Sequence, residues 1–368
     1  MKYLLAAGAL LLSCLHPVSA QILIGQTADF SGGVSAAVKE TLSGAKLYID
    51  AVNGKGGING QKIELISLDD KYDPALAAAN ARELITKRKV IALFLNRGTA
   101  QSEAVLPVLA QYKVPLVAPS TGAMVFHKPV NHYVFNVRTT YQAEAEKAVK
   151  HLAGTGITRF ALLQVDTSLG VDGAAGVMRG LDRLKIQPVL NEKINHSKPD
   201  FAAMVKSVND ANPQAVVIIG TPDIVSEAMN QIRKSGSRAQ LATLSNNAGA
   251  EFVKSLGERG AGVVVTQVFP NERVQSIPMI KEMSDLVIDH GGMTATPAMV
   301  EGFAAAKVLV EGLRRAGKVV TSESLIRGLE DMNEVDLGGM KVTYGPNDHT
   351  GFEFVDISVI SSDGRYIR

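Results

Sequence analysis

The sequence predicts an α/β fold of two similar lobes, each a parallel-rich sheet flanked by helices. Short apolar runs alternate with amphipathic segments long enough to cross over a sheet, the rhythm of parallel strand-helix-strand units. This series starts twice, at Ile22 and again at Phe160, each time beside a polar loop. One stretch, 47–84, also contains helix end, stop, strand, acidic turn and helix start in unbroken succession.

An apolar strand over 22–27 opens the chain. Leu47, Ile49, Ala51 and Val52 close a helical run, and Gly54, Gly56 and Gly57 permit the positive φ angles of a helix stop. The strand 63–68 ends at Asp69 and Asp70, read as turn and cap chemistry because no cluster of oxygen ligands accompanies them. Asp73 caps the next helix, 74–88, with Pro74 at its first position, where a missing amide hydrogen costs nothing. Strands at 90–94 and 114–118 each end in a loop: Leu95, Asn96, Arg97, Gly98 and Thr99 before a helix near Ala100, and Pro119, Ser120, Thr121 and Gly122. A helix over 143–152 leads to the second series. Its strands are expected at 160–165, 215–219, 240–244 and 262–266, with helices at 173–184, 201–209 and 224–234. The helix 296–315 carries Gly302, Ala304, Ala305 and Ala306, small enough for close packing. Strands at 340–344 and 352–360 finish the chain around the polar turn 345–351.

The first twenty residues, MKYLLAAGALLLSCLHPVSA, combine one Lys, an apolar run and a small-residue end, as a secretory leader does. That run is shorter than the roughly 20 residues that span a bilayer. Cleavage after Ala20 would remove Cys14, the only cysteine, so the exported chain could form no disulfide of its own. The rival reading makes Cys14 the lipidated N-terminus of a lipoprotein; it changes tethering and not fold. With 368 residues, 46% hydrophobic and 20% charged, the chain is long enough for two cores. The 38 Lys and Arg balance 36 Asp and Glu without a basic stripe, which disfavours nucleic acid as a partner. Trp is absent, which argues against a broad sugar-stacking platform.

The pattern NxxGGIxGxxIxLxxxDDxxDPxxA at 53–77 resembles the first lobe of the leucine/isoleucine/valine-binding proteins, the type I periplasmic solute-binding proteins of ABC importers. The resemblance extends from the loop GQTADFSG at 25–32 to the ending YGPNDHTGFEFVDISVISSDGRYI. It implies a three-strand hinge, with crossings near 138–141, 267–270 and 344–350. The lobes would then be discontinuous: 21–138 plus 270–346, and 139–269 plus 347–368, after a signal peptide at 1–20. It further implies a periplasmic protein that closes on a small carboxylate and delivers it to an inner-membrane ABC permease, expected to be a monomer and to need no cofactor. A ligand-sensing module for a membrane receptor is the alternative that the same fold serves.

In open α/β sheets, ligands collect beyond the carboxyl ends of strands, where helix N-termini present free amides. Read from the residues alone, Thr99 and Ser120 are helix caps and Gly98 and Gly122 turn residues. The resemblance makes Asn96, Gly98, Thr99, Ser120, Thr121 and Gly122 the holders of the ligand carboxylate. Arg97 either pairs with an anion or points into solvent. In the second lobe the resemblance brings Asp166, Leu169 and Thr221 to the opposite wall, with Leu169 where relatives place an aromatic. Asn246 stands where leucine-binding relatives place an acid for the ligand ammonium. An ion pair at about 4 Å is worth roughly 4 kcal/mol at an effective dielectric of about 20, so that departure makes leucine doubtful. Either Asp166 or Asp223 substitutes, or the ligand is an aromatic or oxo acid without an ammonium. Arg138 is expected to anchor the first crossing through backbone carbonyls, with Tyr141 reaching the cleft.

No enzyme is indicated. Gly54-Lys55 lacks the Ser or Thr of a phosphate-binding loop, and there is no HExxH or GxSxG. His127, His132, His151 and His196 are scattered over loops and polar faces, where an exposed histidine is the default.

Overall fold

The computed structural model describes residues 21–289, 291 and 294–367; the leader and Cys14 lie outside them. The chain begins with β1 (Ile22–Ala28), α1 (Ser35–Gly54), β2 (Ile63–Asp69), α2 (Pro74–Thr86), β3 (Ala92–Phe94), α3 (Thr99–Tyr112), β4 (Leu116–Val117) and β5 (Val134–Phe135). These strands form one parallel sheet in the order β2-β1-β3-β4-β5. There follow α4 (Tyr141–Gly154), β6 (Phe160–Val165), α5 (Ser168–Arg183), β7 (Leu190–Ile194), α6 (Phe201–Ala211), β8 (Ala215–Ile219), α7 (Pro222–Lys234), β9 (Gln240–Thr243), α8 (Ala250–Leu256) and β10 (Val264–Gln267). Three helices come next, α9 (Pro278–Asp289), α10 (Pro297–Arg315) and α11 (Ser322–Glu330). The chain ends with β11 (Val335–Asp336), β12 (Lys341–Val342), β13 (Asp356–Ile360) and β14 (Tyr366–Ile367). The second sheet runs β14-β13-β10-β9-β8-β6-β7, parallel except where β13 pairs antiparallel with β10 and with β14.

Asp73 caps α2 as its position before Pro74 requires: its side chain accepts from the amides of Ala75 and Leu76. Each sheet is covered on both faces, so its strands read as continuous apolar runs. On the first sheet, Ile24 and Phe94 pack with Phe303, Val308 and Leu309 of α10, while Leu93 and Leu116 pack with Leu84 of α2 and Val105 and Leu109 of α3. On the second, Phe160 and Leu162 meet Val149 of α4 and Val177 of α5, and Leu163 and Val216 meet Val208, Val225 and Phe252 on the other side. The small residues expected in α10 bring it into backbone contact with α1. A Cβ on Gly302 would lie 1.8 Å from the Thr41 carbonyl oxygen, and one on Gly44 would lie 2.0 Å from that of Met299.

The chain leaves the first sheet after β5, returns after β10 to lay α10 on α1, and leaves again after β12. The first and third crossings run side by side. The Asn136 amide donates to the His349 carbonyl, and the Phe352 amide to that of Val137. This pairing explains why 352–360 becomes a ladder strand only from Asp356. The expected strand 340–344 is reduced to β12, paired with β11 in a separate two-stranded ribbon. The helix expected from Gly173 starts at Ser168, because the first turn is apolar on its inner side at Leu169 and Gly170. Among the described residues, no helix is long and apolar enough to cross a membrane.

Candidate functional site

The loops after β3 and β4 lie side by side, with a parallel bridge between Arg97 and Ser120. Both leave their strands through positive φ angles, 53° at Leu95 and 54° at Ala118. Gly98 adopts a φ of 97°, and a Cβ there would lie 2.9 Å from Cε2 of the Tyr72 ring. With Gly98 at the cap position, α3 starts without a side-chain cap, so its first-turn amides are free to meet an anion. The Thr99 and Thr121 hydroxyls lie 2.8 Å apart, and the Tyr141 hydroxyl bonds to that of Thr121. Asn96 is buried; its Oδ1 accepts from the Thr27 amide at 3.4 Å, and its Nδ2 has no partner. Gly122 abuts the first crossing, where its carbonyl accepts from the Tyr141 amide.

Arg97 does not point into solvent. It is 6% exposed, donates through Nη1 to Ser120 Oγ at 3.2 Å, and through Nη2 to the Asn246 carbonyl at 2.9 Å, tying the two walls together. Ser120 in turn bonds to Oε1 of Glu301, a buried carboxylate on α10, at 2.6 Å. An ionised carboxylate only accepts, so the Ser120 hydrogen is committed to Glu301. The groups left to hold an anion are Arg97, the threonine pair and the open amides of α3.

On the opposite wall, Asn246 is 8% exposed; its Nδ2 donates to the Gly220 carbonyl at 2.9 Å, and its Oδ1 has no partner. Thr221 is buried at the start of α7 with an unpartnered hydroxyl. Leu169, in the first turn of α5, joins the apolar cluster that includes Ala123, Phe126 and Tyr141. Asp166 stands apart: it is exposed, and its carboxylate accepts from the His196 amide. Asp223 is exposed across from Gly33, whose ideal Cβ position is 3.1 Å from Oδ2.

Arg138 anchors the crossing through acids and a hydroxyl instead of the expected backbone carbonyls. At 1% exposure it donates to Glu144 Oε1 at 2.5 Å and Ser245 Oγ at 2.6 Å, and approaches Glu301 Oε2 at 3.5 Å. Burial alone would lower its pKa; the charges of Glu301 and Glu144 prevail and raise it. A guanidinium enclosed in apolar surroundings needs such acids, and carbonyls alone would leave its charge unbalanced. Glu144 also accepts from the Ser245 amide and the Thr266 hydroxyl. His127 is buried beside this group with both ring nitrogens unpartnered, its pKa lowered to about 4 by burial and by the charge of Arg138. Tyr344 and His349 fix the third crossing: the Tyr344 hydroxyl donates to the Asn136 carbonyl, and the His349 ring stacks on Phe135 at 3.9 Å.

Sequence reasoning missed Glu301, Tyr72 and Glu40. Tyr72, with a φ of 61°, lies against Gly98, and burial raises its hydroxyl pKa. Glu40, on α1, accepts from the amide of Ala250 at the start of α8, across the cleft. Glu301 lies on the buried side of α10 and Glu40 on a half-buried stretch of α1, and neither carries a local signal of its partner. Tyr72, in an acidic turn of positive φ, was the one that turn chemistry could have flagged. The cleft is further bridged by Ser168 to Glu103 at 2.7 Å and by the Met124 amide to Asp172 at 3.0 Å. Asp69 and Asp70 accept from the Phe30, Lys71 and Tyr72 amides and the Ser31 and Thr27 hydroxyls, which is turn chemistry.

The chain is similar to known proteins along almost its whole length. A family model described as periplasmic binding protein matches residues 21–365. The Leu/Ile/Val-binding protein BraC3 of Rhizobium johnstonii is 25% identical over 332 residues, which cover 89% of this chain and 88% of the relative. A substrate-binding periplasmic protein from Ralstonia solanacearum superposes with a TM-score of 0.88 at 28% identity, covering 94% of this chain and 99% of its own. A possible leucine/isoleucine/valine-binding protein from Rhodopirellula baltica gives a TM-score of 0.88 at 25% identity, over 96% and 98%. The two-lobed architecture, the paired loops after β3 and β4 and a family match spanning both lobes lead to one conclusion: the chain belongs to the periplasmic binding protein family, in its leucine/isoleucine/valine-binding group.

Proposed function

We propose that the mature chain is the periplasmic solute-binding component of an ABC importer, not an enzyme, and that it captures a small carboxylate by closure of its lobes. The lobes are 21–138 plus 270–346 and 139–269 plus 347–368, after a leader at 1–20. The carboxylate belongs to an amino acid or to an aromatic or oxo acid. It is held by Arg97, Thr99, Thr121 and the first amides of α3, while Leu169, Thr221 and Asn246 face it from the second lobe. One observation carries this reading: Arg97 is buried between the walls and bonds to both, so the anion-binding cation of one lobe is positioned only when the other meets it. A ligand that contacts both walls prefers the closed form, and that difference in affinity shifts the population presented to the permease. Thermal unfolding against paired amino acids, oxo acids and benzoates tests it. A ligand at about a thousandfold over its Kd adds about 4 kcal/mol of stability. No shift with any small carboxylate would defeat the proposal.

A further inference from the structure

Between the two walls, a chain of buried polar groups closes on itself. The Asn246 carbonyl accepts from Arg97 at 2.9 Å, Arg97 donates to Ser120 Oγ at 3.2 Å, and Ser120 donates to Glu301 Oε1 at 2.6 Å. Arg138 approaches Oε2 of the same Glu301 at 3.5 Å and donates at 2.6 Å to the hydroxyl of Ser245, the residue just before Asn246. The ring thus starts and ends on adjacent residues of one second-lobe loop, between β9 and α8. Its remaining members come from the loops after β3 and β4, from α10 and from the first crossing.

The two arginines keep different company. Arg138 faces the carboxylates of Glu144 and Glu301. Arg97 bonds to a hydroxyl and a backbone carbonyl, and among the described residues no carboxylate lies within ion-pair distance of it. Ser120 is the spacer that makes this possible. Its hydroxyl accepts from the guanidinium and donates to the carboxylate, so Glu301 sets the direction of Arg97 without neutralising it. Direct contact would occupy the cation with an internal acid. Packing fixes Glu301 in turn: at the next residue, Gly302, α10 is pressed onto α1 so closely that a Cβ would lie 1.8 Å from the Thr41 carbonyl oxygen. The helix cannot turn or rise there without breaking that fit.

We propose that Glu301 is a positioning residue for ligand capture: it aims Arg97 through Ser120 and holds Arg138 at the crossing, so one carboxylate ties the anion-binding cation to the hinge. Closure brings the loop at 245–246 onto both arginines together, and opening withdraws both oxygens together. The coupling is independent of what the ligand is; that Arg97 serves a carboxylate rests on the reading above.

Two variants test it. Glu301→Gln keeps the shape and removes the charge, and Ser120→Ala removes the spacer. Residues 21–368 contain no cysteine, so spin labels on Lys39→Cys of α1 and Lys254→Cys of α8, both exposed, report the separation of the lobes by pulsed electron paramagnetic resonance. Calorimetric titration with leucine, 4-methyl-2-oxopentanoate and benzoate reports affinity. Each variant should shift the unliganded distance distribution to longer values and weaken the best-bound probe by about tenfold or more, with the double variant no worse than the weaker single. A cooperative melt shows that each variant folds; should Glu301→Gln not fold, the same two shifts in Ser120→Ala decide the matter. An acid that merely repelled an anion would tighten binding on removal, so tighter binding by Glu301→Gln overturns the positioning role. So does a distribution or an affinity that neither variant changes, or losses that multiply in the double variant. If no probe binds the wild type, a lengthened distribution upholds the coupling while the carboxylate reading falls, and an unchanged one overturns both.

Discussion

Replacing Arg138 with Met tests whether the ion group at the first crossing holds the two lobes' cores in register. The guanidinium is enclosed, and its removal leaves Glu144 and Glu301 without their shared cation. Breaking a buried pair by deleting one partner costs about 3–5 kcal/mol. Glu144 keeps the Ser245 amide and the Thr266 hydroxyl, and Glu301 keeps Ser120, so the loss should lie near the low end, at about 3 kcal/mol. In urea, with an m-value of about 3 kcal/mol/M, the unfolding midpoint would fall by about 1 M. Methionine nearly fills the space of the aliphatic stem, so cavity formation contributes little. A loss below about 1 kcal/mol would refute the account.

The double variant Thr99→Val, Thr121→Val removes the hydroxyl pair yet keeps its volume; carboxylate affinity measured by titration should fall at least tenfold while the melting temperature changes little. Asp70 and His127 should bias acid stability in opposite directions. Burial raises Asp70 to about 6, so its contribution is complete below about pH 4 and is lost as pH rises through 6; Asp70→Asn should steepen the rise of stability between about pH 4 and 6 by about 2 to 3 kcal/mol. His127 at about 4 contributes fully above about pH 6.5 and loses this as pH falls through 4, so His127→Leu should flatten the same rise, both effects being read from urea midpoints against pH. Gly302→Ala forces a Cβ onto the Thr41 carbonyl oxygen and should cost about 1–3 kcal/mol, seen as a lower melting temperature.

The double start of the sheet series and the Asp73-Pro74 cap were legible because they depend on local chemistry: apolar runs and an orphan amide are written in consecutive residues. The edge strand β7, Leu190–Ile194, was not, because its alternating polar residues reflect one half-solvated side. β5 escaped because two residues are too few for any pattern. In the site, the loops after β3 and β4 could be read from strand ends and the family resemblance. Arg97 stayed ambiguous, since its direction is fixed by the carbonyl of residue 246, far along the chain. Glu301 lies 181 positions from Ser120, and only the return of α10 to the first lobe brings them together. Side chains recruited by topology instead of by neighbours leave no trace in a local reading.

The return of α10 onto α1 also fixes an order of completion. One face of the first sheet is covered only in part, by α1, until residues beyond 297 exist, by which point β6 to β10 have already been made. The second sheet still lacks β13 and β14 until about the final dozen residues appear. Neither core can therefore seal on a growing chain, and both mature together at release. A chain emerging from the ribosome would stay threadable almost to its last residue.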